Sequence, residues 1–104
     1  MDIGVYTEKK VLKEKKKYAE DPSQLVWWNI KSKPAKGEPE RIFFAAEGTW
    51  QGFFTIEKIE SNCDQGQSPF NRYSIFLDEW HELEDKPERT PFQGFTYDVP
   101  EVEV

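Results

Sequence analysis

The sequence predicts a mainly β domain of the α+β type, in which about six strands form a small, strongly bent or closed barrel beside one N-terminal surface helix. Three observations favour this fold. Short runs of β-branched and aromatic residues recur between segments rich in glycine, proline and polar residues, as in small barrels. A lysine-rich helical pattern occurs near the N-terminus, at Glu8–Glu20. Aromatic residues make up 15% of the chain although hydrophobic residues make up only 37%, so large rings must fill the core.

The first half of the chain predicts a strand, a helix and a second strand. Asp2–Tyr6 alternates and is rich in β-formers, which indicates the first strand. Thr7 then stands where it can cap the helix, whose few apolar residues form a thin stripe, so we expect a surface helix with its lysines in water. Pro22 disfavours helical geometry at the residue before it and ends the helix. Leu25–Ile30 is predicted as the second strand.

The second half predicts a hairpin followed by two further strands. Arg41–Glu47 is a continuous apolar run of strand length, which indicates burial on both faces of a sheet. The segment "GTWQG" is predicted to form the turn, and Phe53–Glu60 to return as the next strand, with Gly52 marking a bulge or a close backbone approach. Asn71–Trp80 and Phe92–Val99 are the last predicted strands, separated by a loop "HELEDKPERTP". At this length, residues 1–104 are expected to form one domain.

Charge is distributed unevenly along the chain. The net charge is −6, but residues 1–36 carry +4 and residues 37–104 carry −10. This balance argues against a generic nucleic-acid coat and leaves a local basic face near the N-terminus possible. No apolar run is long enough to cross a bilayer and no signal peptide is visible, so no membrane partner is expected. The single cysteine, Cys63, fits a reducing compartment, and the cytoplasm is the expected location.

Catalytic and metal-binding patterns are sparse. His81 is the only histidine, and neither "DEWHELED" nor the surroundings of Cys63 show the ligand spacing of a zinc site. Cys63 stands in a polar segment without a basic neighbour that would lower its pKa. No glycine-rich loop of the kind that holds phosphate is present. These observations favour a non-catalytic domain without a metal or another cofactor.

The tryptophans are the better candidates for ligand contact. Trp27 and Trp28 are neighbours in a predicted strand, so their side chains point to opposite faces. One of them is expected either to face a ligand or to pack against the lysine-rich helix. Trp50 is expected at a hairpin tip, where it either contacts a partner or folds over the end of the barrel. Trp80 ends a strand and is expected in the core.

Basic residues lie close to these aromatic residues in the sequence. Lys31, Lys33 and Arg41 surround the segment that follows the tryptophan pair. Cations beside an exposed ring are typical of sites that hold a nucleobase and its phosphate. The predicted ligand-binding residues are Trp27, Trp28, Lys31, Lys33, Arg41 and Trp50.

The order of these elements resembles that of PUA-like domains, the superfamily that includes the PUA, ASCH, EVE and YTH modules. The resemblance is carried by "WWNIKSKPAKGEPERIFFAAEGTWQGFFTIEKIE", in which "KGEPERIFF" stands for the family's turn into an apolar strand and "WQGFFTIEKIE" for the returning strand. The segments "RYSIFLDEW" and "PFQGFTY" would supply the closing strands. The resemblance implies a PUA-like barrel over most of the chain.

The resemblance also implies a class of ligand. YTH and EVE modules line a pocket for a modified base with tryptophans, which extends the expectation to Trp27, Trp28 and Trp50 of this chain. The ASCH-type "G-x-K-x-x-E-x-R" motif is absent, with "SQLVWWNIKSK" in its place, so the residues of ASCH-like hydrolases do not transfer.

Three functions remain open at this level. The first is a non-catalytic module that binds RNA, DNA or a modified nucleobase in an aromatic and basic cleft between the helix and the barrel. The second is a protein-interaction or accessory module that uses the acidic C-terminal half and Trp50. The third is a small hydrolase acting on a nucleoside-like substrate.

Overall fold

A computed structural model describes residues 2–21, 26–30, 37, 39–61 and 73–100 of the chain. In this part, six strands form one sheet and one helix lies on it. The elements are β1 (Asp2–Tyr6), α1 (Lys9–Ala19), β2 (Val26–Ile30), β3 (Arg41–Ala46), β4 (Thr49–Ser61), β5 (Tyr73–Glu82) and β6 (Phe95–Thr96). The strand order is β2-β5-β4-β3-β1-β6, in which β1 and β3 are parallel and the other neighbours antiparallel.

The predicted fold class is confirmed: the domain is mainly β, with a curled, half-barrel sheet and one described helix. The curl is centred on β4, which is 13 residues long and pairs with β3 on one side and β5 on the other. Its register against β5 shifts twice, between Phe54 and Ile56 and between Ile56 and Lys58. Such irregularities increase the local twist and bend a long strand.

Both faces of the sheet bury apolar side chains, as predicted for the Arg41–Glu47 run. Phe44 and Phe54 belong to the cluster on the side of the sheet that α1 covers. Phe43 and Phe53 belong to a second cluster on the opposite side, and their ring centroids are 5.0 Å apart. Successive residues of a strand point to opposite faces. Each Phe-Phe pair therefore supplies one ring to each cluster.

The predicted hairpin forms, but the predicted turn "GTWQG" is wrong. Ala46 pairs directly with Thr49, so the loop consists of Glu47 and Gly48 alone. Their φ angles are 51° and 84°. Positive φ at both central residues is the geometry of the tight turns that match the twist of a hairpin. A two-residue loop lets β4 begin at Thr49, and Trp50 therefore lies within a strand rather than at a hairpin tip.

The two roles considered for Gly52 are both confirmed. The β3–β4 register shifts beside it, where Phe44 pairs with Gly52 and Ala45 pairs with Trp50. On its other side, an added Cβ would lie only 2.4 Å from the His81 carbonyl oxygen. The position therefore combines a bulge with a backbone approach that only glycine permits.

The surface helix is confirmed, whereas the predicted cap is wrong. The N-cap of α1 is Glu8, in an extended conformation and without a side-chain capping bond. The Thr7 backbone N–H donates instead to the Ala45 carbonyl oxygen at 2.9 Å, continuing the pairing of β1 with β3. Among the residues of α1, only Leu12 is fully buried. The thin apolar stripe thus suffices to seat the helix on the sheet.

Two boundaries near the C-terminus differ from the predictions. His81 and Glu82, predicted as loop, continue β5 because they pair with Phe53 and Gly52 of β4. The predicted strand Phe92–Val99 shortens to the two residues of β6, which pair with β1. Between these strands, the chain is held against the start of β4 by backbone hydrogen bonds, including one of 2.9 Å from the Trp50 N–H to the Pro87 carbonyl oxygen.

Candidate functional site

The two adjacent tryptophans do face opposite sides of the sheet. Trp28 is half-buried on the α1 side and meets the Phe44 ring edge-on, with centroids 5.2 Å apart. Trp27 points to the other side and exposes 45% of its surface. Of this pair, Trp27 is therefore the residue that is available to a ligand.

Trp27 stands in a row of four side chains, in which two neighbouring aromatic rings lie between two lysines. In the sheet, Trp27 pairs with Phe76 of β5, and Phe76 pairs with Lys58 of β4. The Lys58 ammonium lies 5.0 Å from the centroid of the Phe76 ring. At the other end, Lys15 of α1 places its ammonium 5.4 Å from the Trp27 ring and donates a hydrogen bond to the Trp27 carbonyl oxygen. We call these four residues, Lys15, Trp27, Phe76 and Lys58, the Trp27 row.

The two lysines of the Trp27 row have opposite electrostatic environments. Burial lowers the pKa of Lys15, and the nearby Glu14 charge only partly offsets this effect. Lys58 is exposed, and its hydrogen bond and 2.9 Å ion pair with Glu60 raise its pKa. Burial thus disfavours the charged form at the Lys15 end, whereas Glu60 favours the charged form and partly neutralises it at the Lys58 end.

Arg41, which was predicted to touch phosphate beside the tryptophans, is used elsewhere. It lies in β3, and two strands separate β3 from β2. Its guanidinium donates two hydrogen bonds to Asp2, at 3.1 Å from Nε and 2.6 Å from Nη2. The same group lies over the Phe43 and Phe53 rings. The parallel pairing of β1 with β3 sets Asp2 opposite Arg41 and thereby explains this contact.

Trp50 adopts the packed alternative. It exposes only 4% of its surface to solvent and belongs to the cluster on the side of the sheet opposite α1. Its ring centroid lies 6.3 Å from that of Phe43 and 6.1 Å from that of Phe92, and Arg89 lies over it. The segment after β5 covers the ring, so Trp50 has little surface left for a partner. Lys31 and Lys33 lie outside the described residues, as does Cys63.

A groove between α1 and β5 was not predicted in this form. It has a volume of about 660 Å³ and is lined by Lys16, Ala19, Glu20, Asp78, Glu79, Trp80 and Glu82. From the sequence we expected a cleft between the helix and the barrel, but with Trp27 or Trp28 and basic residues along it. The available signal was the acidic segment "DEWHELED", whose tryptophan was expected in the core. Instead, Trp80 is half-buried and faces the groove.

Glu82 forms polar contacts with residues inside the groove lining and with one residue outside it. It accepts a 2.6 Å hydrogen bond from the Trp80 indole N–H and another of 2.6 Å from Lys86. The Lys16 ammonium is 3.6 Å from the same carboxylate and 5.2 Å from the Trp80 ring. Burial alone would raise the pKa of Glu82, but these hydrogen bonds and the two lysine charges together lower it. Glu82 is therefore a carboxylate near neutral pH.

His81 packs against Phe53 and is not among the residues that line this groove. Its ring stacks on Phe53 with centroids 4.9 Å apart, and its Nε2 is 3.7 Å from Glu79. Among the described residues, no group of three or more histidine, cysteine or acidic side chains is placed to hold a metal ion. His81 is thus a packing residue at the edge of the second cluster.

Comparison of the chain with protein-family models, curated proteins and solved structures gave no match. The resemblance to PUA-like domains therefore stays a prediction. In the part of the chain that the structure describes, no helix has the length and apolar character needed to cross a membrane.

Proposed function

We propose that this domain is a non-catalytic module that binds single-stranded RNA or DNA, or a modified nucleobase, on the Trp27 row. The observation that carries the proposal is that Trp27 exposes 45% of its surface with the Lys15 ammonium 5.4 Å from its ring. An exposed aromatic ring accepts a nucleobase by stacking, and a neighbouring cation attracts the phosphate.

The spacing of the row supports a ligand longer than one base. Neighbouring strands lie about 4.8 Å apart, so the three strand positions of the row span roughly 10 Å. Trp27 and Phe76 are direct cross-strand neighbours on this span, and a lysine stands at each end. A second exposed aromatic residue, Tyr18, follows Lys15 by three positions on α1 and therefore lies on the same flank of the helix. Two successive bases of a ligand would thus meet the Trp27 and Phe76 rings, and its phosphates would meet the lysines at the two ends of the row.

The proposed surface differs from the one expected from sequence. Trp27 is retained, whereas Trp28, Arg41 and Trp50 are engaged in packing or in a partly buried ion pair. Phe76 and Lys58 replace them through strand pairing. The whole chain carries a net charge of −6, so a long polyanion would be repelled outside the row. The ligand class is therefore a short single-stranded segment or an individual base.

The test is a titration followed by NMR on ¹⁵N-labelled protein. Each tryptophan gives a separate indole N–H signal, so contact at Trp27 is resolved from events at the other three. The probes are uridine and thymidine dodecamers and a panel of modified nucleosides. We expect the Trp27 signal to move and Trp27→Ala to weaken binding roughly 5- to 150-fold, the equivalent of about 1–3 kcal/mol of stacking.

Matched lysine variants test the cationic part of the surface. Lys15→Gln should weaken oligonucleotide binding more than Lys10→Gln. Both substitutions remove one positive charge, but Lys10 is exposed and its side chain is rotated by about 140° around the helix axis from that of Lys15. With two lysines at phosphates, log Kd should rise with log salt concentration with a slope of about 1.4. No movement of the Trp27 signal with any oligomer or nucleoside at low salt, or equal losses in the two variants, would refute the proposal.

A further inference from the structure

The groove between α1 and β5 differs from the Trp27 row in position and in charge. Trp80 packs against the apolar cluster on the α1 side of the sheet, whereas Trp27 faces the opposite side. Four of the seven groove-lining residues are carboxylates and one is a lysine, which gives the lining a formal charge of −3. The groove therefore repels the phosphates that the Trp27 row is proposed to attract.

The groove is also built around a fixed aromatic ring. Trp80 packs against the Phe54 ring at 4.9 Å, and its indole N–H is held by Glu82. One ammonium group already lies over this ring, since Lys16 is 5.2 Å from its centroid and 3.6 Å from Glu82. An indole face beside a carboxylate attracts a cation both through its quadrupole and through the neighbouring charge. The groove thus already shows, with a side chain of its own chain, the chemistry of cation recognition.

Carboxylates in the groove remain available for a second cation. Glu20 and Asp78 are exposed and have no ion-pair partner within the described residues, and Glu79 meets only the weak partner His81. The cavity volume of about 660 Å³ lies within the range of sites that enclose an organic ligand, roughly 300–1,000 Å³. An open site with dispersed carboxylates suits a chain of spaced cations better than a single metal ion, which requires converging ligands.

From this complementarity of charge, we propose that the groove docks a lysine- or arginine-bearing extended segment of a partner protein. One cationic side chain of the segment lies over Trp80 beside Glu82, displacing or joining Lys16, and further cations meet Asp78 and Glu79. The groove lining includes none of the residues of the Trp27 row.

The experiment uses the same ¹⁵N-labelled protein with a decapeptide of alternating lysine and serine. We expect the Trp80 indole signal to move while the Trp27 signal stays in place. Asp78→Asn/Glu79→Gln should raise the Kd about 2- to 10-fold, as for the loss of one or two exposed ion pairs. The matched control is Glu84→Gln/Asp85→Asn, which removes the same charge from consecutive exposed residues outside the groove lining and should change the Kd less than about 2-fold.

The remaining outcomes each decide against the proposal. An unmoved Trp80 signal at millimolar peptide, an equal loss in the control variant, or equal binding of the lysine-acetylated peptide would overturn it. Equal affinity for free spermidine would assign the groove to a small polyamine instead. Movement of the Trp80 signal with protein concentration alone would assign it to a second copy of the chain. Because oligonucleotides are read out at Trp27 and peptides at Trp80, either proposal can fail without the other.

Discussion

Replacing Gly52 with alanine adds one methyl group where the backbone of β5 leaves no room for it. The added Cβ would lie 2.4 Å from the His81 carbonyl oxygen and 2.5 Å from Cζ2 of the Trp80 ring. Ordinary contacts of a Cβ atom begin near 3.4 Å, so β4 and β5 would have to separate by about 1 Å. A ring can turn aside, but a carbonyl oxygen within a paired strand cannot. The substitution therefore strains the centre of the sheet.

The expected magnitude follows from two opposing effects. Overpacking costs about 1–3 kcal/mol, and the obstructing backbone atom places Gly52→Ala at the upper end. Alanine also reduces the conformational entropy of the unfolded chain, which offsets about 0.4–1 kcal/mol. We expect the free energy of unfolding to fall by about 2 kcal/mol, which for a domain of this size lowers Tm by roughly 10 °C.

Urea denaturation followed by circular dichroism measures this change, with an unaltered m-value showing that the transition itself is the same. The matched control is Gly48→Ala, which has a φ of 84° and nothing within 4 Å of the added Cβ. Its cost is only that of the left-handed conformation, so a net loss of about 1 kcal/mol or less is expected. Gly52→Ala with wild-type stability, or its full rescue by Trp80→Phe, would refute the assignment of the clash to the His81 carbonyl.

Two further predictions concern ion pairs. Asp2→Asn weakens the two-point contact with Arg41, in which the Asp2 and Arg41 side chains are 16% and 22% exposed. Urea denaturation should show that the free energy of unfolding falls by about 1–3 kcal/mol. The control Lys9→Gln breaks the exposed ion pair with Glu47 and should cost less than about 0.5 kcal/mol. Glu82 has a folded-state pKa below its ordinary value of 4.5. The ionised Glu82 side chain therefore stabilises the folded protein fully above about pH 4.5, and this stabilisation is lost as the pH falls through the folded-state pKa. The stability difference between wild type and Glu82→Gln should therefore shrink as the pH falls below about 4.5, and a difference that grows on acidification would contradict the sign.

Local patterns in the sequence were sufficient for much of the sheet. The bounds of β1 were predicted as observed, because alternation and β-branched residues mark them. Burial of β3 on both faces followed from its continuous apolar run. The glycine at position 52 signalled its bulge because few other reasons place glycine inside a strand. These features depend on neighbours in the sequence, which a single chain displays directly.

The errors arise where distant pairing overrides local preference. Glutamate is uncommon at a positive φ, so nothing in the sequence favoured a two-residue loop at Glu47 and Gly48. The polar pair His81–Glu82 does not resemble a strand, and only its pairing with β4 makes it one. Arg41 meets Asp2 across 39 residues through the parallel β1–β3 register. Phe76 was not among the predicted site residues for the same reason, since it reaches Trp27 only through strand pairing.

The helix α1 connects the two proposed binding surfaces through consecutive residues. Lys15 contacts Trp27, and Lys16 contacts Trp80 and Glu82. Successive helical residues are rotated by about 100°, so adjacent lysines reach opposite flanks of the same helix. The positive N-terminal part and the negative C-terminal part of the chain are thereby brought together at one element rather than kept apart. A phosphate that draws Lys15 from Trp27, or a cation that displaces Lys16 from Glu82, acts on the same helix.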